Sequence, residues 1–174
     1  MAFGSSDRRR RTRSTDRVRI ALVVLLLLFA DAYLLPSVVT GPWVPDLLLL
    51  ALLLLAIRQP PGVAAVIGFA VGLVADVLTP AHFGAGILAH VLVGWGASWG
   101  RSVFFADNLF VNAGLFAVGT WVRNLIVLLL SGTAASSLLM QMTVWSPLQG
   151  LSTAAVGVVV VILFRDWLAI RIEP

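Results

Sequence analysis

Long apolar runs alternate with short polar, proline-containing or glycine-containing segments along the 174 residues of this chain. A helix needs about 20 apolar residues to cross the hydrocarbon core of a bilayer. Runs of about that length, or somewhat shorter, predict six membrane-spanning helices over residues 18–35, 43–57, 63–78, 83–99, 109–130 and 147–164. The pattern therefore predicts an all-α, polytopic membrane bundle that forms one domain over residues 18–168.

Prolines mark several ends of these predicted helices. The first span is predicted to end at Pro36. The second has Pro45 in its first turn, where the missing N–H has no cost. Two prolines between Arg58 and Gly62 predict a turn before the third span. The Ala30-Asp31-Ala32 sequence resembles a signal-peptide cleavage site, but the apolar run continues past it, which favours a retained first helix.

The segment before the sixth span is mixed in character. Leu138, Met142 and Trp145 share one helical face, with polar residues between them. This spacing predicts a short interfacial helix over residues 134–145. Ser146 followed by Pro147 is typical of an N-cap and a first-turn proline, which predicts that a separate helix begins there.

Arginine is distributed unevenly along the chain. Seven of the twelve arginines lie from Arg8 to Arg19, immediately before the first long apolar run, and the polar arm over residues 1–17 is predicted to be disordered. If this arm is cytoplasmic, the inner side of the membrane receives four further arginines, one of them in the tail over residues 169–174, and the outer connections receive none. The bias predicts six spans with both termini in the cytoplasm.

Composition agrees with a membrane protein and excludes several functions. The chain is 60% hydrophobic and 11% charged, with a mean hydropathy of +1.01, whereas a soluble domain has about 25% charged residues. The basic arm favours contact with the anionic surface of a bilayer, and no nucleic acid partner is predicted. No cysteine is present, which excludes disulfides and thiol chemistry.

Small residues recur at helical spacing in the third and fourth spans. Gly68 and Gly72 form a GxxxG pair, and Gly86, His90 and Gly94 follow one another at intervals of four residues. Residues four apart lie on one helical face, and small ones allow two backbones to approach closely. These five residues therefore predict a helix-packing seam.

Four charged residues of the predicted spans lie in the outer half of the membrane: Asp31, Asp46, Asp76 and Arg123. Charges at such depth are expected to face the bundle interior, to form pairs or to contact water. One hypothesis pairs Arg123 with Asp76 or Asp31 across the bundle. The other places Asp46 and Asp76 at the level of the headgroups, where water solvates them.

Catalytic motifs are not supported by their contexts. Ser98 lies in a G-x-S-x-G pattern, but that motif requires a preceding strand and a later histidine, and both His82 and His90 precede it. The two histidines lack zinc-site spacing, and His90 is interpreted as a packing residue. No enzyme activity, metal or cofactor is predicted.

The stretch around the second, third and fourth spans carries a family resemblance. The residues that carry it are Pro45 to Leu50, the turn from Arg58 to Gly62, Gly68 to Asp76, and Thr79 to Gly94. Together with the length and the six-span layout, they resemble the MreD family of bacterial rod shape-determining membrane proteins. The resemblance is clear from about Trp43 to Arg101.

The resemblance implies a non-enzymatic scaffold of the cell-elongation complex in the bacterial cytoplasmic membrane. Its implied partner is an MreC-like single-span protein, with MreB, RodA and a penicillin-binding transpeptidase as indirect partners in peptidoglycan synthesis. The family also resembles the six-helix substrate-binding subunits of energy-coupling-factor vitamin transporters. The alternative hypothesis is therefore such a subunit, with the four charged residues lining an outer cavity.

Overall fold

The all-α prediction is confirmed for the part of the chain that the computed structural model describes, which comprises residues 19–38, 40–101, 109–132 and 134–168. These residues form six helices and no strand. The helices are α1 (residues 19–38), α2 (Leu47–Ala56), α3 (Pro61–Leu78), α4 (Ala85–Arg101), α5 (Leu109–Leu130) and α6 (residues 135–168). The predicted arm over residues 1–17 and the predicted tail over residues 169–174 lie outside the described residues.

Three of these helices are long and apolar enough to cross a membrane. They are α3, α5 and the Ala135–Phe164 part of α6. Helix α2 is also apolar but has only ten residues, which corresponds to about 15 Å at 1.5 Å per residue.

Helix α2 forms the centre of the bundle, and it is apolar on every side. Nine of its ten residues are buried, and its leucines contact α3, α4, α5 and α6. A helix that is apolar all round can face lipid or the protein interior, and here neighbouring helices cover it. The most extensive contacts around it are between α3 and α4 and between α5 and α6. Helices α3 to α6 therefore form two pairs that pack around α2.

The α3–α4 pair is close because glycine lies at its contact points. A Cβ atom added to Gly68 would lie 2.5 Å from the carbonyl oxygen of His90, and one added to Gly72 would lie 2.6 Å from the Cα atom of Ile87. Gly94 faces Ala64 on α3 in the same way. The absence of side chains at these positions allows the two backbones to touch, as in other membrane helix pairs.

Helices α1 and α6 each contain one π-helical turn, and each turn comes just before a proline. The turns are Ala30–Leu34 and Gln141–Trp145, and the amide of the next residue bonds the carbonyl five residues earlier. Residues 36 and 147 are prolines, which have no N–H to continue an α-helical pattern. A wider turn before each proline rearranges the hydrogen bonds without ending the helix.

Two predicted helix boundaries are consequently wrong. Helix α1 continues through Pro36 to Val38, and Ser146 lies inside α6 with helical backbone angles and does not cap a new helix. The segment predicted as a separate helix over residues 134–145 is the first part of α6. Its interfacial position stays a prediction.

Candidate functional site

The polar residues of the bundle gather at the N-terminus of α2, where a non-helical segment enters the fold. Helices α2 and α3 share the turn at residues 57–60, but α3 has 18 residues and extends about 27 Å, against about 15 Å for α2. The segment from Thr40 to Pro45 therefore descends into the bundle to reach α2. Backbone of this kind is tolerated at membrane depth only where protein buries it or where it lines a wet cavity.

Two aspartates satisfy the first amides of α2. Asp46 is its N-cap, and its Oδ1 accepts a hydrogen bond of 2.8 Å from the amide of Leu49. Asp31, on α1, accepts one of 3.0 Å from the amide of Leu47. Both carboxylates also lie at the positive end of the helix dipole. The prediction that Pro45 lies in the first turn is wrong, because the helix begins after Asp46.

Arg123 pairs with Asp46 and not with Asp31 or Asp76, so the predicted partner is wrong. Its Nε lies 3.6 Å from Oδ2 of Asp46, and the side chain of Asp46 is 9% exposed. Since Asp46 is buried, its predicted solvation at the headgroup level is also wrong. The separation exceeds hydrogen-bond distance, and Nε donates to no described residue. Nη1 of the same guanidinium donates to Oδ1 of Asn124 at 3.0 Å.

Asp76 performs a separate function at the start of α4. Its Oδ2 accepts hydrogen bonds from the amides of Gly84, at 2.7 Å, and Ile87, at 3.1 Å, and the residue is buried. Gly86 lies against this carboxylate, which leaves no room there for a Cβ atom. Asp76 is therefore a cap supplied from the neighbouring helix, and its predicted exposure to water is wrong.

Helix α6 holds the descending segment through a polar stripe that was not among the predicted site residues. The Nε2 of Gln149 donates to the carbonyl of Val44, and the Oγ of Ser152 donates to the carbonyl of Trp43. Thr153 accepts the amide of Asp46 through its Oγ1, at 3.0 Å. The signal was available, because positions 149, 152 and 153 share one helical face within an otherwise apolar run.

Asn124 connects this stripe to the ion pair. Its Nδ2 donates to Oε1 of Gln149 at 2.7 Å and to Oγ of Ser146 at 3.2 Å, while its Oδ1 accepts from Arg123. The amide thus links α5 to α6 through hydrogen bonds that hold the guanidinium in place. Its position directly after Arg123 in an apolar span was the available sequence signal.

Two cavities open beside this network, and Arg123 and Gln149 line both of them. The smaller, of about 400 Å³, is also lined by Asp31 and Asp46. The larger, of about 540 Å³, lies between α5, the start of α6 and the Gly41–Pro42 turn. Three of the four predicted charged residues therefore meet at one cavity, whereas Asp76 does not line either one.

The predicted packing histidine is fully buried within the α3–α4 pair. The Nδ1 of His90 lies 2.7 Å from the carbonyl oxygen of Gly86, and its Nε2 has no hydrogen-bond partner among the described residues. Ser98 donates to the carbonyl of Gln59 and thereby holds the α2–α3 turn. His82 lies in a short 3₁₀ turn after α3. Within the described residues, no group of histidine and acidic side chains is arranged to hold a metal.

These features define an all-helical membrane protein with a buried polar network at one end of its bundle. The family model described as rod shape-determining protein MreD matches residues 12–169, and the chain belongs to this family. The predicted family resemblance is thus confirmed. No curated protein and no solved structure matches the chain. Family membership assigns the chain a role in determining rod shape.

Proposed function

We propose that this chain is a non-enzymatic scaffold of the cell-elongation complex, which binds an MreC-like single-span protein in the bacterial cytoplasmic membrane. The observation that carries the proposal is the family match, because it covers nearly the whole chain and not one motif. Through that partner the chain would support peptidoglycan synthesis by RodA and a penicillin-binding transpeptidase along MreB.

The arrangement of polar groups supports a scaffold. Asp31, Asp46 and Asp76 all accept backbone amides at helix starts, and the hydroxyl of Ser98 donates to a backbone carbonyl. These groups are used to hold helices in a fixed arrangement. A rigid bundle of this kind suits a protein whose task is to present helix surfaces to a partner in the same membrane.

The proposed topology has six spans and two cytoplasmic termini. In this orientation the turn at residues 57–60 and the end of α4 face the cytoplasm, and the two cavities face outward. The arginine distribution supports the assignment, since Arg58 and Arg101 accompany the basic arm on the inner side.

Copurification tests the scaffold directly. The tagged full-length chain, extracted in mild detergent, should retain an MreC-like single-span protein, and depletion of the chain should convert rods to spheres. Two matched variants sharpen the test. Gly72→Leu should separate α3 from α4 and lose this partner. Gly62→Leu, whose Cβ has no close neighbour, should keep it. If the partner is absent from wild-type extracts and depleted cells stay rod-shaped, the scaffold role is wrong.

The cavities favour one alternative, a substrate-binding subunit of an energy-coupling-factor vitamin transporter. Volumes of about 400 and 540 Å³ fall within the range of small-ligand pockets. This alternative requires that an ATPase pair copurify with the chain and that depletion leave cell shape unchanged. The same extracts and the same depleted cells distinguish the two functions.

A further inference from the structure

We propose that the larger cavity binds an oxyanion, specifically the phosphate of an organic molecule, through Arg123, Gln141 and Ser146. The cavity is lined by the guanidinium of Arg123 and by five other polar side chains, and no aspartate or glutamate is among its lining residues. This proposal concerns ligand binding and does not depend on the scaffold function.

Hydrogen-bond donors are available in this cavity. Nη2 of Arg123 donates to no described residue, and the Gln141 side chain makes no hydrogen bond within the described part of the chain. The hydroxyl of Ser146 accepts from Asn124 and keeps its own proton for another partner. An anion that accepts from all three would satisfy groups that the protein leaves without acceptors.

The carboxylates near Arg123 lie at the smaller cavity and not at the larger one. Asp31 and Asp46 line the smaller cavity and accept the first amides of α2. The ion pair leaves the guanidinium available, because the contact of its Nε with Asp46, at 3.6 Å, is longer than a hydrogen bond. The hydrogen bond from Nη1 to Asn124 fixes the plane of the guanidinium between the two cavities.

The backbone around the cavity is shaped for a ligand in two places. Gln141 begins the π-helical turn of α6, and such turns recur at functional sites because they redirect side chains from a regular helix. Gly41, on the opposite rim, has a φ of 134°, a conformation that allows the chain to turn closely over the cavity.

The size and the apolar lining indicate more than inorganic phosphate. A volume of about 540 Å³ accommodates an organic group attached to the anion. Val127, Leu128, Met140 and Trp145 supply apolar surface beside the donors, and Leu139 and Met140 are exposed on the same stretch of α6. Either the headgroup of a phospholipid or a water-soluble phosphate ester has this chemistry.

Titration of the purified full-length chain in detergent tests the site and separates these two sources. The probes are phosphatidylglycerol, diacylglycerol with the same acyl chains, and glycerol 3-phosphate, and binding is followed by native mass spectrometry. We expect phosphatidylglycerol to bind and diacylglycerol not to bind. Competition by glycerol 3-phosphate would support a soluble ester as the ligand, and its failure to compete would support a lipid.

Four variants show whether binding occurs in this cavity. Arg123→Gln and Gln141→Leu should each weaken phosphatidylglycerol binding by about tenfold, as expected for a lost hydrogen bond to a charged group. Ser137 lines the same cavity, but its hydroxyl already donates to the carbonyl of Ala134. The Ser137→Ala variant should therefore bind phosphatidylglycerol within about twofold of wild type. Arg9→Gln, in the basic arm, controls for non-specific attraction and should also stay within about twofold.

Two results would overturn the proposal. The first is that glycerol 3-phosphate does not bind and that phosphatidylglycerol binds no better than diacylglycerol, whether both lipids bind or neither does. The second is wild-type affinity in Gln141→Leu, a variant that removes no hydrogen bond of the described residues and leaves the Arg123–Asp46 pair in place. Because partner copurification is not measured here, neither result bears on the scaffold function.

Discussion

Asp46 joins three elements of this protein through different atoms. Its Oδ1 caps α2, its backbone amide donates to Thr153 on α6, and its Oδ2 faces Arg123 on α5. A single buried residue therefore stabilises the central helix and fixes the positions of two others around it. The cap and the charge are separable because asparagine caps a helix about as well as aspartate.

Substitution of Asp46 should separate these two contributions. Asp46→Asn keeps the cap and removes the ion pair, and Asp46→Ala removes both, so the alanine variant should be less stable by about 1 kcal/mol. Thermal unfolding of the detergent-solubilised protein, followed by tryptophan fluorescence, measures the difference. If the two variants unfold together, Asp46 does not act as a cap.

The double variant Asp46→Asn/Arg123→Gln tests the pair itself. Each single change leaves one buried charge without its partner, so the double variant should be more stable than the sum of the two losses predicts. Strict additivity would show that the 3.6 Å contact contributes nothing to stability.

At the scale of helices, contact between α3 and α4 depends on backbone approach at glycine. The Gly68 and Gly72 positions face the α4 backbone, which cannot move aside as a flexible side chain can. Asp76 supports the same pair at its other end by capping α4. Packing of membrane helices relies on such close contact because lipid supplies no hydrophobic drive between them.

Gly72→Ala should therefore destabilise the protein, and Gly62→Ala should not. The added methyl at position 72 would lie 2.6 Å from the Cα atom of Ile87, and the resulting overpacking typically costs about 1–3 kcal/mol. Gly62 lies in the first turn of the same helix with no atom within 4 Å of an added Cβ, and alanine there favours helix formation. Equal melting temperatures for the two variants would contradict the close approach of α3 and α4.

At the scale of the whole molecule, α2 is too short to reach both ends of the bundle, which makes room for the polar network and the cavities. It is about 12 Å shorter than α3, from the lengths of 10 and 18 residues. The descending segment fills part of this space, and side chains from α6 satisfy its carbonyls. The cavities occupy what remains.

Single-cysteine labelling tests the orientation of this molecule, since the natural chain has no cysteine. In intact spheroplasts, a membrane-impermeant thiol reagent should label Thr40→Cys and should not label Gln59→Cys until the membrane is permeabilised. Both positions are exposed, so accessibility in the folded protein is matched. The reverse pattern would invert the proposed topology.

Much of the fold was predictable because hydropathy is a local property. The apolar runs predicted helices at about the right places, and the small-residue spacing in the third and fourth spans predicted the face on which Gly68 and Gly72 contact α4. Helix ends were less predictable. Pro36 and Pro147 are typical of helix boundaries, but both lie within helices because a π-helical turn before each proline absorbs the missing hydrogen bond.

The sequence alone determined the all-helical class, the family and the set of charged residues that needs an explanation inside a membrane. Each of these depends on composition, on local spacing or on likeness along the whole chain. Only the tertiary structure decided that Arg123 faces Asp46, that Asp76 caps α4 and that two cavities meet at Arg123. Those outcomes depend on the relative heights and rotations of helices distant in sequence. Such geometry is set by packing around a central helix of only ten residues, which no local pattern specifies.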